Sequence, residues 1–128
     1  MTTSTHTEEI TVMRDGLRLH GRIDAPQGEP KGPVVILMHG FMADLGYEPG
    51  SLLQQVSDQL VEAGFTSVRF DFNGRGNSDG SFANSDVCNQ VEDAIAVLNF
   101  VRDRFEPAEI SLLGHSQGGV IAGMTAGM

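Results

Sequence analysis

The chain has 128 residues, of which 40% are hydrophobic and 20% are charged, and its net charge at pH 7 is −9. This composition is ordinary for a globular protein, and the length suits one domain at most. The acidic balance argues against nucleic acid or an anionic membrane as a partner, because both bind basic surfaces.

Two short extended segments are predicted near the N-terminus, over Ile10–Met13 and Leu17–Ile23. The dipeptide Asp15-Gly16 between them is a strong hairpin turn sequence. The apolar positions of this hairpin are Val12, Leu17, Leu19 and Ile23. The stretch from Pro26 to Pro33, rich in proline and glycine, predicts a turn-rich linker.

Three apolar runs are predicted as buried strands, because each is too short for a helix and lacks alternating polar residues. They are Val34–Met38, Phe65–Phe70 and Ile110–Leu113. Each of these strands is followed by a predicted helix, described below, so that strands alternate with helices after the hairpin. This alternation predicts an α/β fold with a largely parallel sheet.

Three helices are predicted from apolar residues at helical spacing. The first carries Leu52, Leu53, Val56, Leu60 and Val61, with Gly64 at the position of a C-cap. The second runs from about Ser85 to Arg104 and has an apolar stripe of Val87, Val91, Ala94, Ile95, Leu98 and Val101. Cys88 on this helix is expected to be a small buried residue. The third runs from Gln117 to Met128.

The segment Gly114-His115-Ser116-Gln117-Gly118 has the pattern G-x-S-x-G and lies between a predicted strand and a predicted helix. A tight strand-to-helix turn of this kind holds the serine in a strained backbone conformation, and its glycines avoid clashes with neighbouring backbone. The hydroxyl then stands clear of the sheet. The helix N-terminus behind it favours developing negative charge. Ser116 is therefore the candidate nucleophile.

The segment Met38-His39-Gly40-Phe41 ends the first buried strand. A glycine there lets the chain turn sharply, so the N–H of Phe41 can point into the same cleft as the N–H of Gln117. Two such donors form an oxyanion hole, which stabilises an acyl-transfer transition state by several kcal/mol.

Three segments together resemble α/β-hydrolases and are similar, more narrowly, to bacterial cinnamoyl (feruloyl) esterases: His39-Gly40-Phe41, Phe70–Gly80 and Gly114–Gly119. The similarity extends in order from about Glu8 to the last residue. The resemblance implies that residues 1–128 are the N-terminal part of a single α/β-hydrolase domain. The expected fold is a truncated, mostly parallel sheet with an N-terminal antiparallel hairpin and flanking helices.

The resemblance also implies acyl transfer by Ser116 on a small-molecule ester of the hydroxycinnamate type, with Phe41 and Gln117 holding the oxyanion. In that family the acid and the base follow the serine after later strands, and a lid shapes the acyl pocket. All three would lie beyond Met128. The segment alone is therefore expected to be inactive unless the C-terminal part of the fold or another chain complements it.

The other polar residues near these motifs are expected to be structural. His115 should pack beside the strand and be a poor base, because neighbouring side chains on a tight turn point in different directions. His39 would orient the oxyanion loop, as the resemblance implies. Gly40, Gly114 and Gly118 support the two loops. Asp71 and Asp79 are interpreted as turn-forming carboxylates.

Two expectations concern association and location. If the chain stops at Met128, the strand Ile110–Leu113 is an exposed apolar edge, which predicts self-association or complementation. No stretch is long and apolar enough to span a bilayer, and the N-terminus has no signal-peptide pattern. With the single Cys88 and four scattered histidines giving no zinc-ligand spacing, we expect a cytoplasmic protein without metal or cofactor.

Alternative functions remain open at this point. A non-catalytic half-hydrolase used for binding or assembly would also explain the missing triad histidine. A hydrolase or acyltransferase of other acyl specificity would share the same loops. A dinucleotide site is excluded, because the third glycine of G-x-G-x-x-G, counted from Gly74, would fall at Asp79 and no helix begins there.

Overall fold

The structure is a computed structural model that describes residues 5–26, 33–81, 83, 85–105 and 109–127. Most of the predicted linker, residues 27–32, lies outside these ranges. Within them the chain forms, in order, β1 (Thr5–Arg14), β2 (Leu17–Pro26), β3 (Val34–Met38), α1 (Leu52–Glu62), β4 (Thr66–Phe70), α2 (Val87–Phe105), β5 (Ile110–Gly114) and α3 (Gln117–Ala126).

The five strands form one mixed sheet in the order β1-β2-β4-β3-β5. The β1–β2 and β2–β4 pairs are antiparallel, whereas β3 is parallel to both β4 and β5. In this register Met38 lies opposite Gly114. The carboxyl ends of β3 and β5 are therefore adjacent, as are the loops that follow them. Among the described strands β5 lies at the edge of the sheet, as predicted for a chain that stops at Met128.

The N-terminal hairpin is longer than predicted. Its strands have ten residues each and turn at Asp15 and Gly16, whereas the sequence predicted only the central parts. The prediction stopped at polar residues, but one face of an antiparallel sheet can be solvated, so such residues continue a strand. Two side-chain hydrogen bonds also join the outer parts of the strands. Thr7 donates to Asp24 at 2.8 Å, and Arg22 donates to Glu9 at 2.7 Å.

The core has two layers, one on each face of the sheet. On one face Leu53 of α1 packs with Val35 and Leu37 of β3. The other face carries α2 and α3, and its buried residues alternate with those of the first face along β3. This larger cluster includes Leu19, Ile23, Ile36, Met38, Val68, Phe70, Val91, Ala94, Val97, Val101 and Ile121. Helices on both faces are typical of α/β folds.

The end of α1 confirms the predicted C-cap. Gly64 has a φ of 97° and its N–H donates to the carbonyl of Val61 at 3.0 Å, while the N–H of Phe65 donates to the carbonyl of Leu60 at 2.9 Å. These two bonds form a Schellman motif. The motif redirects the chain into β4 directly after the helix.

The start of α2 differs from the prediction. The helix begins at Val87 because the carboxylate of Asp86 accepts a hydrogen bond from the N–H of Asn89 at 2.8 Å and so caps it. Val87 is 36% exposed and does not belong to the buried stripe. The prediction for Cys88 was wrong, because this residue is exposed in the first turn.

The last helix, α3, ends at Ala126, and Met128 lies outside the described residues. Its buried side includes Ile121, whereas Val120 and Met124 are exposed. Within the described ranges, every helix is too short or too polar to cross a bilayer.

Candidate active site

The turn between β5 and α3 has the strained geometry that the G-x-S-x-G pattern predicts. Ser116 has φ 58° and ψ −120°, a combination that L-residues rarely adopt and that costs about 1–3 kcal/mol. Its side chain is exposed and it stands at the N-cap of α3. The sequence therefore places an accessible hydroxyl at the positive end of a ten-residue helix.

The flanking glycines are required by close backbone contacts. A Cβ at Gly114 would overlap the carbonyl of Gly118, and a Cβ at Gly118 would lie 2.5 Å from the carbonyl oxygen of His39 and 2.7 Å from the carbonyl carbon of Met38. Real Cβ atoms essentially never approach closer than 3.0 Å. Without these glycines α3 could not begin so close to the ends of β3 and β5.

The loop after β3 packs directly against this turn. A Cβ at Gly40 would lie 3.2 Å from both the carbonyl oxygen of His115 and the Cβ of Ser116. The N–H of His115 also donates to the carbonyl of Met38 at 3.0 Å. The structure thus brings the two predicted loops together, as the adjacent ends of β3 and β5 require.

The two predicted oxyanion donors lie on these loops. Gln117 is the first residue of α3, and no described residue accepts a hydrogen bond from its backbone N–H. Its side chain is held by α2, because its Nε2 donates to Oε1 of Gln90 at 2.9 Å. Phe41 follows Gly40 in a turn closed by a 3.2 Å bond from the N–H of Ala43 to the carbonyl of Gly40.

His39 is a structural residue of the oxyanion loop. Its ring is buried, Nδ1–H donates to the carbonyl of Gly40 at 2.8 Å, and Nε2 accepts from the N–H of Phe72 at 3.1 Å. Burial lowers the pKa of His39, partly offset by the hydrogen bond to Gly40 and by nearby carboxylates. A neutral ring with both nitrogens occupied orients the loop and cannot accept a proton from Ser116.

The prediction that His115 packs beside the strand was wrong. Its side chain is exposed and lies beside Gly40 of the neighbouring loop, where a Cβ added to Gly40 would be 3.3 Å from the Nδ1 of His115. Among the described residues, none forms a hydrogen bond with the hydroxyl of Ser116. His115 is therefore not positioned as a base in this structure.

The two carboxylates of the segment Phe70–Gly80, Asp71 and Asp79, have structural roles, as interpreted from the sequence. Asp71 is fully buried and accepts hydrogen bonds from the N–H groups of Leu45 at 2.7 Å and Asn77 at 2.9 Å, and from the hydroxyl of Tyr47. Asp79 accepts three hydrogen bonds from Arg18, one from its backbone N–H and two from its guanidinium, and these bonds lower the pKa of Asp79. Neither carboxylate is free to orient a catalytic base.

A small cavity of about 200 Å³ opens beside the two loops, between them and α1. Its lining includes Gly40 and His115 together with Asp44, Ser51 and Leu52. In the described part of the chain, no cluster of three or more histidine, cysteine, aspartate or glutamate side chains could hold a metal ion. The candidate chemistry of the site therefore depends on the hydroxyl of Ser116 and on the backbone donors of the two loops.

Sequence reasoning missed three residues that shape the site. Arg69 is fully buried in β4 and donates to Asp24 and to the carbonyls of Leu45 and Gly46, at 2.7, 2.9 and 3.2 Å. Arg75 donates to the carbonyls of the loop after β3, and Gln90 accepts a hydrogen bond from the side chain of Gln117 at the start of α3. The position of Arg69 inside an apolar strand could have indicated that it has buried partners. The partners of Arg75 and Gln90 lie far away in the sequence, so no local pattern indicates them.

Comparison with known proteins gives a family. A family model described as serine aminopeptidase, S33, matches residues 28–127. An uncharacterised 31.7 kDa protein of Escherichia coli is 34% identical over 109 residues, which are 84% of this chain and 36% of that protein. The thiohydrolase aneE of Aspergillus aculeatus is 30% identical over 123 residues, which are 94% of this chain and 36% of that protein.

A solved structure of similar fold is Est1E from Butyrivibrio proteoclasticus with ferulic acid bound. Its TM-score is 0.85 at 28% identity, over 91% of this chain and 46% of that chain. The chain thus spans about a third of the length of the curated relatives and under half of Est1E. The predicted fold class and the resemblance to cinnamoyl esterases are confirmed. The chain has the α/β-hydrolase fold and belongs to the serine aminopeptidase S33 family.

Proposed function

We propose that the protein is a serine ester hydrolase that forms an acyl-enzyme on Ser116. The observation that carries this proposal is the backbone of Ser116, which is strained at φ 58° and ψ −120° and lies between two glycines where a Cβ would overlap neighbouring backbone. Strain of this kind persists only where the surroundings enforce it, and it is concentrated at functional sites. A purely structural turn has no need of it.

The proposed reaction has two steps. The Oγ of Ser116 attacks the ester carbonyl carbon while a base takes its proton, and the carbonyl oxygen becomes an oxyanion held by the N–H groups of Phe41 and Gln117. Collapse breaks the bond to the alcohol oxygen, which leaves with that proton. Water then releases the acid by the same route and restores the hydroxyl.

The base and its orienting acid come from outside the described residues in this proposal. His39 has both ring nitrogens occupied and Asp71 and Asp79 are engaged elsewhere. A further part of the polypeptide or a second chain packed beside β5 would supply them, since that edge adjoins Ser116. The chain without this complement is expected to be inactive.

Hydroxycinnamate esters are the proposed substrate class. The resemblance to cinnamoyl esterases and the similarity to Est1E, which was solved with ferulic acid bound, support this choice. The family description and the thiohydrolase relative make aminoacyl amides and acyl thioesters the competing classes. All three classes proceed through the same oxyanion, so only turnover separates them.

The test is a substrate panel of methyl ferulate, short alkyl esters, an acyl thioester and aminoacyl amides. The purified protein, with any chain that copurifies, should hydrolyse methyl ferulate with the highest kcat/KM. Ser116→Ala should abolish turnover. The matched control is Ser111→Ala, which removes another exposed serine from β5 and should leave turnover unchanged.

A non-catalytic binding module is the second candidate, because no described residue forms a hydrogen bond with the hydroxyl of Ser116. This alternative predicts that Ser116→Ala changes nothing and that no ester is hydrolysed. Preference for an aminoacyl amide or a thioester over methyl ferulate would instead retain the nucleophile and reject the proposed substrate class.

A further inference from the structure

The turn that carries Phe41 contains a strained residue. The N–H of Ala43 bonds to the carbonyl of Gly40, so Phe41 and Met42 are its two central residues. Met42 has a φ of 62°. A positive φ at the second central position is the geometry of a type II turn, where glycine or asparagine is preferred. A methionine remains there only if something outside the turn holds it.

Burial contributes little to holding this turn. The side chains of Phe41 and Met42 are 64% and 59% exposed. Apolar packing stabilises a conformation in proportion to the area removed from water, and most of these two side chains stays in water. A restraint on the backbone of the turn would stabilise it where apolar burial does not.

Arg75 supplies such a restraint. Its Nη2 donates to the carbonyl of Met42 at 2.7 Å, and its Nε donates to the carbonyl of Ala43 at 3.2 Å. A guanidinium is a rigid planar fork, so two bonds to consecutive carbonyls fix both their position and their orientation. The backbone N–H of Arg75 donates to the carbonyl of Phe72 at 3.0 Å, which anchors the fork just after β4.

Two residues at the end of β4, Arg69 and Asp71, hold residues 45–47, which follow the turn in the same loop. Asp71 accepts hydrogen bonds from the N–H of Leu45 and the hydroxyl of Tyr47, and Arg69 donates to the carbonyls of Leu45 and Gly46. Burial, followed by the Asp71 carboxylate, raises the pKa of Tyr47, so the phenol keeps the proton that it donates. The end of the loop is thus fixed, and Arg75 fixes its middle.

The position of the turn matters because it touches the nucleophile. Gly40 packs against the carbonyl of His115 and the Cβ of Ser116. A Cβ added to Gly40 would lie 3.2 Å from the carbonyl oxygen of His115 and 3.2 Å from the Cβ of Ser116. A shift of the turn would therefore move the N–H of Phe41 relative to Ser116. An oxyanion donor is effective only within about 2.7–3.1 Å of the developing charge.

We propose that Arg75 is a positioning residue, which holds the strained turn 40–43 so that the N–H of Phe41 faces the oxyanion formed at Ser116. This inference rests on the proposed function. Arg75 acts through the turn. Its loss should lower kcat and leave KM nearly unchanged, because the donor matters most in the transition state.

The experiment combines ester kinetics with hydrogen exchange on three variants: Arg75→Gln, Arg75→Lys and, as matched control, Arg102→Gln. Arg102 is exposed on α2. Removing an oxyanion donor costs roughly 100- to 1000-fold in kcat, so displacing one should cost about 10- to 100-fold in R75Q. R75K retains a donor without the fork and should fall between R75Q and the wild type. Exchange in segment 40–47 should rise about tenfold in R75Q and stay unchanged in R102Q.

The outcomes separate this inference from the proposed function. Turnover of R75Q within twofold of the wild type, or unchanged exchange in 40–47, would overturn the role of Arg75. If R75Q does not fold, R75K decides the question by the same two readouts. A complemented wild-type protein that hydrolyses no ester would overturn the proposed function, while the exchange comparison would still show whether Arg75 holds the turn.

Discussion

Gly118 and Gly123 lie on the same helix, and the same substitution should have opposite effects at the two positions. A methyl group at Gly118 would lie 2.5 Å from the carbonyl oxygen of His39, about half an ångström inside the closest real contact, and it would overlap the carbonyl of Met38 more severely. These atoms are backbone and cannot rotate away. At Gly123 a methyl group would meet nothing within 4 Å.

The magnitudes follow from this difference. Overpacking costs about 1–3 kcal/mol and sometimes more, whereas replacing glycine by alanine in a helix gains about 1 kcal/mol. Gly118→Ala should therefore destabilise the protein by about 2 kcal/mol or more, and Gly123→Ala should stabilise it by up to about 1 kcal/mol. Urea unfolding measures both values, and the melting temperatures should differ by roughly 10 °C. Stabilities within about 1 kcal/mol of each other would refute the packing of α3 against β3.

Two further predictions concern pH and association. Burial lowers the pKa of His39 from its usual 6.5, so the stability that its neutral ring contributes is present above pH 6.5 and is lost as the pH falls toward the lowered value. Urea unfolding should show this loss, and His39→Gln should remove it; an identical pH profile in the variant would contradict the assignment. Leu113, 38% exposed on β5, should mediate self-association, so Leu113→Lys should shift sedimentation toward the monomer. Met13→Lys, at a residue 58% exposed on the opposite edge strand, is the matched control and should not.

The features that could be predicted from the sequence depend on short-range patterns. The hairpin turn at Asp15 and Gly16, the Schellman motif at Gly64 and the strained turn at Ser116 are each determined by a few consecutive residues. The sequence also predicted that the loops at Gly40 and Ser116 share one cleft, and they do so because β3 and β5 are parallel neighbours whose carboxyl ends lie side by side.

The features that were missed depend on contacts between distant residues. The sequence shows that Arg75 follows a strand, but not that its guanidinium reaches the carbonyl of Met42, 33 residues earlier. The exposure of Cys88 and His115 likewise depends on where α2 begins and on the edge position of β5. Hydrophobicity patterns carry no information about either. Polar networks of this kind need the tertiary structure.

The central claim is that Ser116 is an activated nucleophile, and intact-mass spectrometry before and after treatment with a fluorophosphonate tests it most directly. We expect one adduct per protein on Ser116 once the site is complemented, and none in Ser116→Ala. An adduct on the 13.7 kDa chain alone would show that a base lies within it, against our reading of His39 and His115. A folded, complemented protein that forms no adduct would contradict the claim.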